Sequence, residues 1–195
     1  MENNKQYLPN ISAEELNEYG ISSFNGEIVL VDNLRSFNLH FPRLYGKKVL
    51  GFDTETKPSF RKGRRNRVSL IQLASEELAV LIRINKIGIP GELLALLSNP
   101  EIIKTGVAIH DDLRFLRGIS GFSPAGFIDL QTFVKNFGIE SSGLKKLAAI
   151  VLGFRISKHQ QVSDWEAENL TEAQKIYAAT DAWVCLQIYK NLIAE

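Results

Sequence analysis

The 195-residue chain is poor in cysteine and has no long hydrophobic run, and each absence excludes a class of protein. Its single cysteine, Cys185, cannot form an internal disulfide, which argues against a disulfide-stabilised secreted protein. The first ten residues lack the basic and apolar stretches of a secretory signal, and no apolar run approaches the length of a membrane span. We therefore expect a cytoplasmic protein with no membrane partner, and the sequence identifies no protein partner.

A strong excess of either charge is also missing, since 23 Lys and Arg stand against 22 Asp and Glu. The basic residues are nevertheless unevenly placed. The segment 57–67, KPSFRKGRRNR, contains no acid and six basic residues, namely Lys57, Arg61, Lys62, Arg64, Arg65 and Arg67. Without them, 17 basic and 22 acidic residues leave a net charge of −5. A basic patch on an acidic body favours binding to nucleic-acid phosphates, although a solvated loop would have the same composition.

The first part of the chain predicts a helix and then several strands. Residues 1–26 form a predicted N-terminal arm, in which Ser12 and Glu15 have the spacing of a capping box and predict a short helix over 13–18. A first strand is predicted over 27–34. Three more strands follow at 48–55, 67–75 and 78–84, and the short connection between the last two predicts a hairpin.

In the second part of the chain, helical and strand patterns alternate. The predicted elements are a helix at 91–98, a strand at 102–109, a helix at 111–118 closed by Gly118, a strand at 126–130, a helix at 144–153 and a helix from Thr171 to the C-terminus. Antiparallel strands followed by this alternation predict an α/β domain over 27–195, with a mixed β-sheet flanked by α-helices.

The stretch VLGFDTET, at 49–56, is an apolar run that ends in two acids. Residues two apart on a strand point the same way, so Asp53 and Glu55 share one face with Gly51. A strand that emerges into solvent would account for this pattern without any function. The alternative is that the two acids belong to a functional site. The placement of the remaining acids decides between these two interpretations.

Two later stretches also carry acids at unexpected places. KTGVAIHDDLRFLRG runs from a predicted strand into Asp111 and Asp112, although a helix cap needs only one of them. In YAATDAWVCLQIYKNL, Tyr177 and Asp181 lie one helical turn apart on a face that is otherwise apolar. A carboxylate on a buried face is costly unless it is hydrogen-bonded, paired with a cation or bound to a metal.

Four carboxylates that meet at one point repel each other and are tolerable only around cations. Mg²⁺ and Mn²⁺ prefer oxygen ligands and leave positions open for water and phosphate oxygens. Two such ions about 4 Å apart form a standard arrangement for in-line displacement at phosphorus. Asp53, Glu55, one acid of the 111–112 pair and Asp181 are thus predicted to form a metal site for phosphoryl chemistry.

These residues carry a resemblance to a known family. A D-x-E on a strand, an Asp after GVAI and a late Y-x-x-x-D resemble, in this order, the three motifs of the DEDDy-type 3'→5' exonucleases. The related DEDDh branch has a histidine five residues before the last Asp, where Ile176 stands here. RVSLIQLAS and VSDW are similar to the corresponding regions of ribonuclease D and the Werner syndrome exonuclease domain, and the resemblance extends over 27–195.

The resemblance implies a ribonuclease H-like mixed β-sheet flanked by α-helices and two bound Mg²⁺ or Mn²⁺ ions. It implies that the metal ligands are Asp53, Glu55, Asp112 and Asp181. Asp111 then serves as a cap or supporting acid, and Tyr177 orients the attacking water.

The predicted function is a metal-dependent 3'→5' exonuclease that releases nucleoside 5'-monophosphates from a nucleic-acid substrate, with DNA slightly favoured. One alternative is an RNA-trimming exoribonuclease of the ribonuclease D type. Another is a catalytically inactive nucleic-acid-binding module, against which the presence of all four acids and the tyrosine argues.

Overall fold

In a computed structural model, residues 7–58 and 67–194 are described, and six strands of these residues form one sheet. The sheet order is β1-β4-β3-β2-β5-β6. The strands are β1 (Glu27–Val31), β2 (Val49–Thr56), β3 (Val68–Ala74), β4 (Leu78–Ile82), β5 (Ile103–Gly106) and β6 (Phe127–Asp129). Strands β2, β3 and β4 pair antiparallel, whereas the pairs β1–β4, β2–β5 and β5–β6 are parallel. The predicted mixed sheet and the β3–β4 hairpin are confirmed.

Helices cover both faces of the sheet. They are α1 (Ala13–Glu18), α2 (Leu34–His40), α3 (Ile84–Ile87), α4 (Gly91–Leu97), α5 (His110–Ser120), α6 (Leu130–Phe133), α7 (Leu144–Leu152) and α8 (Glu172–Ile193), with 3-10 turns at Phe41–Leu44 and Val134–Phe137. Both predicted capping boxes are present, at Ser12 before α1 and at Thr171 before α8.

Three predicted boundaries were wrong for local reasons. The strand predicted over 102–109 ends at Gly106, because Ala108, with a φ of 57°, turns the chain into α5. The first strand ends at Val31 instead of continuing to 34, because the Asn33 side chain accepts a hydrogen bond from the Ser36 backbone N–H and begins α2. Helix α5 does not end at Gly118. It continues to Ser120 and is closed by Gly121, whose φ of 66° lies in the left-handed region that favours glycine.

The sheet separates two apolar layers. On one face, Phe52 and Leu73 pack with residues of α2, α4 and α5. On the other face, α8 covers Leu70 and Leu81, and α7 packs with α8 beside Val49 and Ile103. Strands β3 and β4 are buried along their whole length, as expected for central strands with helices on both sides.

Helix α8 lies unusually close to β2 at Gly51. A Cβ atom added to Gly51 would stand 1.8 Å from the Ala182 backbone oxygen, so only glycine permits this approach. Asp181 is the neighbour of Ala182 in sequence, and Asp53 follows Gly51 by two residues on the same face of β2. This contact therefore brings the predicted ligands of β2 and α8 together.

The segment before β1 packs onto the rest of the fold. Ile11 and Leu16 are buried against Ala149 of α7, and Phe24 belongs to the layer under α8. The backbone of Ser22 donates to the Arg155 carbonyl, at a distance of 3.0 Å. In the part of the chain that the structure describes, no helix has both the length and the apolar character needed to span a membrane.

Candidate active site

The end of β2 presents two acids toward α8. The strand is buried from Leu50 to Phe52 and becomes half-buried from Asp53 onward, where it leaves the core. Because side chains alternate along a strand, Asp53 and Glu55 point to the same side as Gly51, which is the side covered by α8. The two acids thus end the strand at the rim of a cleft.

The facing helix contributes Tyr177 and Asp181 from successive turns. Asp181 is only 8% exposed, and its Oδ1 atom has no hydrogen-bond partner among the described residues. The Tyr177 hydroxyl donates a hydrogen bond to the Asp181 carboxylate. A buried carboxylate oxygen without a donor is rare in folded proteins, and a bound cation would satisfy it.

Three of the predicted acids meet at one point. One carboxylate oxygen from each of Asp53, Glu55 and Asp181 lies within 4.8 Å of the other two. Oxygen-only ligands of this kind suit hard divalent cations such as Mg²⁺ and Mn²⁺. Together with the unsatisfied Oδ1 of Asp181, this arrangement fits a metal centre.

The two acids at the start of α5 differ in their surroundings. Asp111 forms an ion pair with Arg114, with a distance of 2.8 Å between its Oδ1 and the guanidinium Nη2. Asp112 is outside the group of three converging carboxylates, yet its charge contributes to raising the pKa of both Asp53 and Glu55. The turn before this helix contains Ala108 with a φ of 57°, a strained conformation for a residue with a side chain.

Burial and the proximity of the acids raise their pKa values. Burial and the charges of Asp181 and Asp112 raise the pKa of Asp53 well above its usual range. Burial and the neighbouring acids, Asp53 first among them, raise the pKa of Glu55 to about 10. Burial also raises the pKa of Asp181 to about 7, although the Tyr177 hydrogen bond and the charge of Lys158 lower it. The cluster therefore holds protons near neutral pH unless cations replace them.

The tyrosine beside the cluster keeps its proton as well. Burial, followed by the negative charges of Asp181 and Glu55, raises the pKa of the Tyr177 hydroxyl. The hydroxyl is therefore a hydrogen-bond donor in this environment and not a phenolate.

A cleft of about 300 Å³ opens in front of the acids. Its lining includes the three acids and Tyr177, together with Lys145 at the start of α7, Lys158 and Gln161. The sequence pattern alone does not single out Lys145, Lys158 or Gln161 as site residues. Lys145 follows a helix start and the other two belong to an irregular polar segment, so only the fold shows that they line the same cleft as the acids.

The predicted basic segment is only partly within the described residues. Arg61, Lys62, Arg64 and Arg65 lie outside them. Lys57 forms ion pairs with Asp164 and Glu166, at 3.2 and 3.8 Å, and Arg67 is exposed at the start of β3. Because Thr56 pairs with Val68 directly beyond Glu55, both ends of the segment begin at the rim of the acidic cleft.

Comparison with known proteins gives a consistent result. A sequence profile described as 3'-5' exonuclease matches residues 28–195. The chain is 38% identical over 157 residues to the mouse (Mus musculus) bifunctional 3'-5' exonuclease/ATP-dependent helicase WRN, a match that covers 77% of this chain and 11% of that protein. The chain spans 11% to 26% of the length of several such curated relatives.

Two solved structures are similar to this chain in fold. Escherichia coli RNase D, described as an exoribonuclease involved in structured RNA processing, matches with a TM-score of 0.76 and 27% identity over 87% of this chain and 44% of that one. The EXD2 exonuclease domain, from a crystal soaked in Mn, matches with a TM-score of 0.51 and 31% identity over 86% of this chain and 89% of that one.

Proposed function

Because this chain belongs to the 3'-5' exonuclease family, we propose that it removes nucleotides one at a time from the 3' end of a nucleic-acid strand. In this reaction, a water oxygen bonds to the terminal phosphorus and the bond from that phosphorus to the preceding 3' oxygen breaks. The products are a nucleoside 5'-monophosphate and a strand shortened by one residue, which carries a free 3' hydroxyl.

The observation that carries this proposal is the convergence of Asp53, Glu55 and Asp181 at the rim of one cleft. Three carboxylates this close are unfavourable as a purely structural feature, since burial and mutual repulsion both oppose their ionisation. The same arrangement is favourable in an enzyme that holds cations beside a phosphodiester.

We propose that the cluster holds two Mg²⁺ or Mn²⁺ ions, with Asp112 as an additional ligand. The Mn-soaked structure of the similar EXD2 domain supports the choice of metal. When bound, such ions supply Lewis acidity toward the phosphate and make water a better nucleophile at neutral pH. Asp112 supports this role by its electrostatic coupling to Asp53 and Glu55, whereas the ion pair with Arg114 occupies Asp111.

The remaining residues of the cleft orient the reactants. Tyr177, fixed by its hydrogen bond to Asp181, is proposed to position the attacking water next to the scissile phosphate. Lys145 and Lys158, which line the same cleft, are proposed to contact the negatively charged oxygens of the strand.

The preferred substrate is proposed to be DNA, with RNA trimming as the second candidate. The identity to the WRN protein, 38% over 157 residues against 35% over 127 residues for a ribonuclease D of Gluconacetobacter diazotrophicus, supports the first choice. The structural similarity to RNase D, an exoribonuclease by its description, supports the second. Discrimination between the two requires contacts with the 2'-hydroxyl, which one or two side chains can provide.

Digestion of matched DNA and RNA oligonucleotides of the same sequence, each with Mg²⁺ and with Mn²⁺, tests this proposal. We expect nucleoside 5'-monophosphates from both strands, with a higher kcat/KM for DNA. A higher kcat/KM for RNA would make the chain an exoribonuclease. Binding without release of mononucleotides under any of these conditions would make it a nucleic-acid-binding module.

A further inference from the structure

Gln72, in the middle of β3, is a buried side chain without an obvious structural purpose. It is fully buried, and neither its amide nitrogen nor its amide oxygen has a hydrogen-bond partner among the residues that the structure describes. An unsatisfied buried amide is destabilising, and an apolar residue of the same size would serve the core better. The position of Gln72 therefore calls for a functional explanation.

The register of the sheet places Gln72 beside the metal cluster. Gln72 lies directly opposite Asp53 on the antiparallel neighbour β2, and opposite Leu81 on β4. Opposed residues in an antiparallel pair have side chains on the same face, with Cβ atoms about 5 Å apart. The amide thus stands under α8, within reach of the carboxylate of Asp53.

A second unsatisfied group lies in the same layer. Trp165 is fully buried, its indole Nε1 has no partner in the described part of the chain, and its ring centre is 6.1 Å from that of Tyr177. Trp165 packs in one cluster with Leu70 and Leu81, which flank Gln72 along β3 and across to β4. The indole can only donate, whereas the Gln72 amide offers one acceptor and two donors, so their requirements are complementary.

We propose that Gln72 is a positioning residue for Asp53, an inference that rests on the proposed metal-dependent function. When cations occupy the cluster, the Gln72 amide nitrogen donates to the Asp53 carboxylate and its oxygen accepts from the Trp165 indole N–H. A neutral donor suits this task, because it orients the carboxylate without competing with the metal for negative charge, as a lysine or arginine would.

The test is the Mn²⁺ affinity of Gln72→Met, measured by calorimetry on the full chain, together with thermal unfolding in EDTA. Methionine has a similar volume and no amide. We expect Mn²⁺ binding to weaken by about tenfold to a hundredfold, because ligand-supporting groups have effects of this size. The unfolding temperature in EDTA should equal or exceed that of the parent, because the lost amide was unsatisfied.

Leu73→Met is the matched control, since Leu73 is the next residue on β3 and is buried on the opposite face of the sheet. It should keep the parental Mn²⁺ affinity. Parental affinity in Gln72→Met would overturn the inference and leave the proposed function intact. A parent that binds no Mn²⁺ would overturn both.

Trp165→Phe tests the same link without changing Gln72, because it removes the indole donor and keeps one aromatic ring at this buried position. We expect a several-fold loss of Mn²⁺ affinity that disappears in the Gln72→Met background. Independent, multiplicative effects of the two substitutions on Mn²⁺ affinity would contradict a hydrogen-bonded link from Trp165 through Gln72 to Asp53. In Gln72→Met, a weaker Mn²⁺ affinity accompanied by a large drop in the unfolding temperature in EDTA would also overturn the inference, since that result indicates a packing role.

Discussion

At the scale of the residue, Tyr177 is held in place by its own helix and by one acid. Its hydroxyl donates to Asp181, and its ring lies next to that of Trp165. The spacing of four residues between Tyr177 and Asp181 could be recognised in the sequence, because a helix places such residues on one face. The raised pKa of the hydroxyl could not, since it depends on acids from another element.

Tyr177→Phe should lower kcat by about a hundredfold, because it removes the group that orients water while it keeps the ring. Thermal stability and Mn²⁺ affinity should change little. Steady-state kinetics of the purified variant provide the measurement. Tyr189→Phe, a buried tyrosine of the same helix, is the matched control and should keep the parental kcat. An unchanged kcat in Tyr177→Phe would leave this tyrosine with a packing role only.

The raised pKa values predict how the metal-free protein responds to pH. A carboxyl whose pKa is higher in the folded than in the unfolded state stabilises the fold at low pH, and this contribution is lost as pH rises through the folded pKa. For Asp181 and Glu55, the folded values are about 7 and about 10. In EDTA, the unfolding temperature of the parent should therefore fall between pH 5 and pH 9.

Glu55→Gln provides the comparison for this effect, because the amide cannot ionise. Its unfolding temperature in EDTA should depend less steeply on pH than that of the parent, and the two should diverge progressively as pH rises above about 5. Added Mn²⁺ should stabilise the parent most at the higher pH, where the acids give up their protons to the cation. Identical pH profiles for parent and variant would show that the pKa of Glu55 is not raised in the folded protein.

At the scale of the element, the contact between α8 and β2 determines the geometry of the site. The Gly51 Cα approaches the backbone of Ala182 so closely that no side chain fits between them. The apolar stripe of α8 and its capping box could be predicted from the sequence. The distance between α8 and β2 could not, because it is determined by the absence of a single Cβ atom.

Gly51→Ala should push α8 away from β2 and separate Asp53 from Asp181. We expect a loss of about 2 kcal/mol or more of unfolding free energy, since overpacking a core typically costs 1–3 kcal/mol, and a weaker Mn²⁺ affinity. Chemical denaturation and calorimetry measure the two effects. Gly118→Ala is the control, because nothing lies within 4 Å of its added Cβ in α5. This control should gain about 0.5–1 kcal/mol and keep its metal affinity.

The basic segment 57–67 connects β2 to β3, and both of its ends lie beside the acids of β2. We propose that its charges contact the phosphates of the substrate. Neutralising Arg61, Arg64 and Arg65 together should raise KM and flatten its dependence on salt, since each phosphate contact releases about 0.7 counterion on a single strand or 0.9 on a duplex. The value of kcat should change little.

The measurement is KM against salt concentration for this triple variant and for the parent. A second triple variant, with Lys47, Lys48 and Lys190 neutralised, removes the same charge from a cavity at the other end of β2 and should keep the parental slope. Parallel slopes for all three proteins would show that nucleic acid approaches from elsewhere and that the segment is a solvated loop.

At the scale of the whole molecule, the sequence predicted most elements because periodicity and capping are local properties. The mixed sheet followed from the order of these elements. The sequence also predicted that Asp53, Glu55 and Asp181 share one site, whereas the distance of at most 4.8 Å between their carboxylate oxygens is known only from the folded chain. The proposed role of Gln72 could not be predicted from the sequence, because its position opposite Asp53 depends on the register between β2 and β3.

The central claim is that the converging acids serve a metal-dependent 3'→5' exonuclease. The most direct measurement is the digestion of a 5'-labelled oligonucleotide with Mn²⁺, by the parent and by Asp181→Asn, Asp112→Asn and Asp111→Asn. The parent and Asp111→Asn should shorten the labelled strand stepwise from its 3' end, whereas Asp181→Asn, Asp112→Asn and the parent in EDTA should leave it intact. Release of the label as a mononucleotide in the first steps, or ordinary digestion by Asp181→Asn, would contradict the account.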